Sequence, residues 1–275
     1  MARMAATAPA PTGLGARGSK LRRDWAPPVV AVLVLLALWE LAVRGGLISE
    51  NSIPPATSAI AELFAQLGDS ALWSAVGNTL NGWALGLGIA IAAGVPAGLL
   101  VGSSRWAYRA LRVPIEFLRP IPSVALIPLA VLIYGTGLES KVFLAAFASF
   151  WPLLIQTIYG VQDVDPVATD TARSFGLGRF ARLYRVTIPS AVPYIATGIR
   201  ISSAVALILA VTAELVIGSP GLGQQINLAR SGGNIDLMYA LIIATGLLGW
   251  VLNIGAAAIE RRVLHWHPSQ RGAAT

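Results

Sequence analysis

Asp170–Pro189, D-T-A-R-S-F-G-L-G-R-F-A-R-L-Y-R-V-T-I-P, is a polar, basic stretch held between two long apolar runs. An acid and two small residues (Asp170, Thr171, Ala172) lead it, Gly176 follows six positions after the acid, and Pro189 ends it. Arg179, Arg182 and Arg185 recur at helical spacing in its second half. Surrounded by sequence fit for a membrane interior, this is a loop with a design of its own. A short, basic helix with a small face, here Ala172 and Gly176 four apart, is what a membrane subunit needs between its spans to dock a soluble partner and receive force from it.

Outward from that loop the chain is apolar: 55% of its 275 residues are hydrophobic and 12% charged, against about a quarter charged in soluble domains. Runs near or above the roughly 18 residues that cross hydrocarbon as a helix lie at Pro28–Val43, Leu80–Val101, Val142–Tyr159, Ala191–Ile217 and Leu237–Ile259. A shorter run at Val124–Tyr134 extends to Ile121 and Gly137. The pattern predicts an all-α polytopic protein of about six transmembrane helices in a lipid bilayer. Its expected divisions are a disordered, basic N-terminus at 1–23, one membrane domain at 24–268 with the polar loop at 161–190, and a tail at 269–275. The first run follows Arg17, Lys20, Arg22 and Arg23 as a secretory signal would. Yet Trp39, Glu40 and Arg44 stand where a small-residue cleavage site would be needed, so an uncleaved helix is expected.

Positive charge sets the orientation. With the N-terminus inside, sixteen of the twenty Lys and Arg fall in inner segments, while Arg44, Lys141 and Arg230 fall outside. Both termini are expected in the cytoplasm. The formal charge of +7 is spread over every inner loop instead of one face, so topology accounts for it and no nucleic-acid partner is implied. Zero cysteines exclude thiolate chemistry. The two histidines, His265 and His267, flank Trp266 as an interfacial anchor and lack the carboxylate neighbour of a metal site. Gly15–Lys20 misses the phosphate-loop spacing, and no catalytic residue, metal or cofactor is expected in this chain.

Gly82, Gly86, Gly94, Gly98 and Gly102 place G-x-x-x-G pairs on the second span, a pattern that packs helices closely within the chain or across a dimer. Pro96 should kink that span. Pro120, Pro122 and Pro128 crowd the start of the third span, with Ser123 among them. Two readings stand: irregular backbone lining a pathway, or a helix that starts after Pro122 and kinks at Pro128. Glu40 and Arg44 are expected to pair as i and i+4 neighbours. Arg200 and Glu214 share a face of the fifth span at about 21 Å separation, together with Ser202, Ser203 and Thr212. They snorkel to opposite interfaces or line a cavity. The candidate pathway set is therefore Pro122, Ser123, Pro128, Arg200, Ser203 and Glu214.

The loop resembles the EAA loop of membrane subunits of bacterial binding-protein-dependent ABC importers, E-A-A-x3-G-x9-I-x-L-P. Asp170, Thr171 and Ala172 stand at E-A-A, Gly176 at the glycine, Val186 and Ile188 at the aliphatics and Pro189 at the proline. R-P-I-P-S-V-A-L-I-P-L, Y-G-T-G-L-E-S-K-V-F-L, A-E-L-V-I-G-S-P-G-L-G and E-R-R-V-L-H-W resemble the sulfonate, taurine and nitrate permease branch. The resemblance implies a type I ABC importer permease (MetI-like) fold in the bacterial inner membrane. It implies a second copy of the chain, two cytoplasmic ATP-binding subunits that carry the ATP and Mg, and an extracytoplasmic solute-binding protein. It assigns coupling to Asp170, Thr171, Ala172, Gly176 and Pro189. Arg179 and Arg182 join them by residue chemistry, as helically spaced charges suited to gripping acidic groups on the ATPase, with ordinary inner-loop charge as the alternative. A small, anionic solute is implied, an aliphatic sulfonate or taurine first, with nitrate, bicarbonate or a vitamin precursor as alternatives. A secondary transporter or channel would lack any need for a docking loop, and the hydropathy shows no inverted repeat.

Overall fold

The computed structural model describes residues 15–264, with side chains from residue 27. Residues 1–14 of the segment 1–23 expected to be disordered lie outside that range, as do His265, Trp266, His267 and the expected tail 269–275. The described residues form helices α1 (Gly15–Arg44), α2 (Ala56–Gln66), α3 (Ser70–Ser103), α4 (Arg105–Leu118), α5 (Ile127–Tyr134) and α6 (Leu138–Gln162). They continue with α7 (Pro166–Ser174), α8 (Arg179–Arg182), α9 (Ile188–Ile217), α10 (Leu222–Ser231) and α11 (Ile235–Val263). α1 begins at Gly15, inside the stretch expected to be irregular from its Ala, Pro, Gly and Arg content.

The chain divides into residues 1–61 and 62–275. In the first unit Arg44 pairs with Glu40 as its i,i+4 spacing predicts, and the same carboxylate accepts from the Thr57 backbone N at 3.1 Å. Trp39 Nε1 donates to the Pro54 carbonyl at 2.9 Å. Leu33, Leu35 and Leu38 of α1 are exposed, as suits a helix bathed in hydrocarbon, where apolar surface costs nothing.

In the second unit α6 is the axis, with α3 and α9 packed along it. Over its most apolar window α6 is 56% buried, against 11% for α11, so α6 is the interior helix and α11 a peripheral one. Small residues explain the close approach. A Cβ on Gly86 would stand 2.6 Å from the Ala145 Cβ, one on Gly98 would meet Thr157 at 2.5 Å, and one on Gly102 would meet Val161 at 2.8 Å. The glycine stripe is thus spent on packing α3 against α6 within one chain, where van der Waals contact replaces the missing hydrophobic drive. α3 stays helical through Pro96.

Among the described residues five helices, in α1, α3, α6, α8–α9 and α11, are long and apolar enough to cross a membrane. The expected third span, Val124–Tyr134, is one limb of a bent pair: α4 and the Ser123–Tyr134 segment meet at 80°, the geometry of a broken span or a re-entrant loop. Pro122 caps a 3-10 turn at Ser123–Leu126, and Pro128 sits in the first turn of α5. There a proline needs no backbone donor, so Pro128 starts a helix and does not kink one.

Candidate functional site: a docking loop, three cavities and a buried charge network

The loop read first from the sequence folds into two parts. Asp165 caps α7 by accepting from the Val167 N at 2.8 Å, and Pro166 occupies its first turn; both are helix-start chemistry. Phe175 closes the helix and Gly176 follows at φ +78. Gly176 N donates to the Arg173 carbonyl at 2.9 Å and Leu177 N to the Ala172 carbonyl at 3.0 Å. That double bond pattern is a Schellman stop, which wants a left-handed residue where Gly176 stands.

Two expectations change here. Ala172 and Gly176 do not form one small helical face for a partner, because Gly176 is past the helix end and Ala172 is buried in its own chain. The exposed side chains of this segment include Val167 and Phe175, at 70% and 80%, with Asp170 and Thr171. Nor do the arginines continue α7. Arg179 and Arg182 lie on α8, Arg185 in a π turn at Leu183–Thr187, and Pro189 in the first turn of α9.

The six pathway residues are not brought together. Pro122 and Ser123 line a cavity of about 460 Å³ with Arg119, Gln156 and Tyr159, closed on the α9 side by Ile201, Val205 and Leu209. Arg200 and Ser203 line two apolar cavities between α9 and α11, of about 450 and 490 Å³. Those cavities use a different face of α9, through Leu207 and Val211 in the first and Ile199 in the second. Arg200 is engaged there, with Asn253 at 3.3 Å and Glu260 at 3.5 Å on α11.

Glu214 faces neither cavity. Its carboxylate is fully buried and accepts from Lys141 Nζ at 2.8 Å, Thr79 Oγ1 at 2.9 Å and Gly223 N at 3.0 Å. Lys141, 2% exposed, spends its other two donors on the carbonyls of Asn78 at 2.9 Å and Pro220 at 3.0 Å. Thr79 Oγ1 accepts from Leu222 N at 3.0 Å. Four elements, α3, α6, α9 and the α10 entry loop, are tied at one point with all polar groups of the pair satisfied, the condition under which a buried pair is tolerable in a membrane protein. Gly221, at φ +156, crosses directly over the carboxylate, and a Cβ there would overlap it. Lys141, read from the sequence as an outer-loop charge, and Glu214, read as snorkelling or cavity-lining, are instead partners. The signal was present: both were placed at the same end of adjacent long spans, with opposite sign.

A sharply bent third segment, a central α6 gripped through glycines and a polar loop between long apolar helices are the features of a helical membrane subunit. Residues 94–265 match the family described as binding-protein-dependent transport system inner membrane component, and the chain belongs to it. It is 32% identical over 252 residues to the taurine transport system permease protein TauC of Escherichia coli (strain K12), over 90% of this chain and 92% of that one. It is 30% identical over 261 residues to the nitrate import permease protein NrtB of Leptolyngbya laminosa, covering 91% and 92%. Among solved structures, an inward-facing MetNI methionine ABC transporter shares the fold at TM-score 0.63 and 20% identity, over 70% of this chain and 96% of that one. The chain is therefore the permease subunit of an ABC importer, a multi-pass inner-membrane protein of type I importer fold. ATP hydrolysis belongs to a separate subunit.

Proposed function

We propose that this permease imports a small oxyanion, an aliphatic sulfonate or taurine, handed to it by an extracytoplasmic binding protein. The observation that carries this is the Arg119–Ser123–Gln156–Tyr159 cavity, which offers a guanidinium, two hydroxyls and an amide and has no carboxylate in its lining. An anion leaving water needs such donors to offset lost hydration. Relatives named for taurine and for aliphatic sulfonates, each at least 30% identical over most of their length, agree with it. Nitrate is the second reading, favoured by the NrtB relative. Pro122 and Ser123 stay on this pathway; Arg200, already compensated by Glu260, does not.

Arg119→Gln should lower uptake by the reconstituted complex about tenfold, the value of roughly one charge-assisted hydrogen bond. Arg200→Gln should lower it far less. Uptake at the normal rate in Arg119→Gln would sink this pathway, and a larger loss in Arg200→Gln would return it to the α9–α11 cavities.

The working unit in this proposal holds two copies of the chain and two ATPase subunits, with both termini cytoplasmic. One chain supplies one docking loop, whereas two ATPase subunits driven symmetrically need two. Native mass of the purified complex should show two copies of this chain. One copy beside a different permease would refute the homodimer.

A further inference from the structure

Two adjoining cavities open beside the docking loop. The larger, about 640 Å³, is lined by Arg105, Arg173, Arg179 and Arg182 with the hydroxyls of Ser104 and Thr169. The smaller, about 400 Å³, is lined by Arg105, Arg109, Tyr108 and Gln162. They share Gly102, Ser103 and Arg105, so Arg105 stands between them. Neither lining includes an Asp or a Glu. Of the five arginines only Arg173 has a carboxylate partner among the described residues, Asp170 at 3.5 Å, and that pair is mostly exposed. Five guanidinium groups converging on two connected spaces with no counter-charge make a site for a ligand with more than one negative group.

The depth of the site narrows the ligand. The apolar runs of α3 and α6 end at Val101 and Tyr159, and the cavity residues Gly102, Ser103, Val161 and Gln162 follow at once. Trp106, Phe180 and Tyr184 around it are exposed by 80%, 88% and 77%. Exposed aromatic rings among arginines at the ends of spans mark the head-group layer of a membrane. Basic pockets between spans at that level take lipid head groups, and the planar guanidinium matches phosphate with two parallel hydrogen bonds. Val167 and Phe175, the exposed apolar side chains at α7, belong to neither lining, whereas Thr169 and Arg173 of the same helix line the larger cavity.

We propose that these cavities bind the head group of an anionic phospholipid that carries two phosphodiesters, one in each cavity, bridged by Arg105. The inference does not depend on the transported solute.

The test uses the whole complex with its ATPase subunits, reconstituted in phosphatidylcholine membranes that contain either a diphosphatidylglycerol or phosphatidylglycerol, and reads retained lipid by native mass. The two-phosphate lipid should be retained in preference to the one-phosphate lipid. Arg105→Gln and Arg182→Gln should each lower its retention about tenfold, and Arg105→Lys less, because the ammonium keeps the charge but loses the paired geometry. Arg109→Gln, confined to the smaller cavity, should abolish the preference between the two lipids while sparing phosphatidylglycerol. The same spectra report whether each variant assembles, and Arg109→Gln on the open surface keeps the question answerable if Arg105→Gln does not. An equal loss in Arg261→Gln, outside both cavities, would overturn the proposal by showing unspecific basic attraction. So would displacement of the lipid by inorganic phosphate or taurine, which would assign the cavities to a soluble anion. Lipid held by the permease alone but expelled when the ATPase binds would assign the arginines to that partner instead.

Discussion

Lys141→Met should destabilise the permease by about 3–5 kcal/mol, the usual cost of stranding one member of a buried ion pair. The Glu214 carboxylate would keep its bonds from Thr79 and Gly223 but lose the cation paired with it, at full burial. Glu214→Gln added to Lys141→Met should recover most of that loss, since the amide oxygen still accepts from Thr79 Oγ1 and Gly223 N with no charge to compensate. Thermal unfolding of the purified subunit in detergent measures both. If the double variant is no more stable than Lys141→Met, the two charges are not coupled and the network is incidental.

The effect should extend beyond stability. The network fixes the Gly218–Gly223 turn, through which α9 passes into α10, onto the ends of α3 and α6. Leu222 and Ile226 of α10 then close a core with Leu72, Ala75 and Leu241. A permease that survives Lys141→Met in the membrane should therefore have a loosened α10 before any other element loosens. Hydrogen exchange at Leu222 and Gly223 should rise well ahead of exchange in α6.

Much of this fold was legible in the sequence because hydrocarbon imposes a simple rule: long apolar runs must be helices. The runs at Leu80–Val101 and Val142–Tyr159 fall inside α3 and α6 for that reason. The glycine spacing on α3 likewise foretold a close helix neighbour, though only the structure names α6. What local pattern could not supply was partnership across the sequence. Lys141 and Glu214 are 73 residues apart, and each alone looked like a charge at a membrane edge. Arg200 looked free until Asn253 and Glu260 were seen beside it. The loop was found but misjudged in detail, since a glycine four residues after an alanine is equally consistent with one small helical face and with a helix stop. The short α2 and α10 carry too few residues for periodicity to declare them.

That ambiguity at Gly176 yields the last prediction. If Gly176 serves close docking, any added side chain should harm coupling in proportion to its size. If it serves the left-handed stop, conformation decides, and a Cβ at Gly176 meets nothing within 4 Å while its φ is +78. Asn enters the left-handed region readily and a β-branched residue does not. Gly176→Asn should thus retain most substrate-stimulated ATP hydrolysis in the reconstituted complex. Gly176→Val should nearly abolish it, because strain of about 1–2 kcal/mol opens the stop. Opening it releases the Leu177 bond to Ala172 and displaces Phe175, the exposed side chain that closes α7. Membrane insertion should be normal in both, since α6 and α9 are untouched. Equal loss in Gly176→Asn and Gly176→Val would restore the close-contact role. Full stimulation in Gly176→Val would mean that this loop does not carry the ATPase stroke at all.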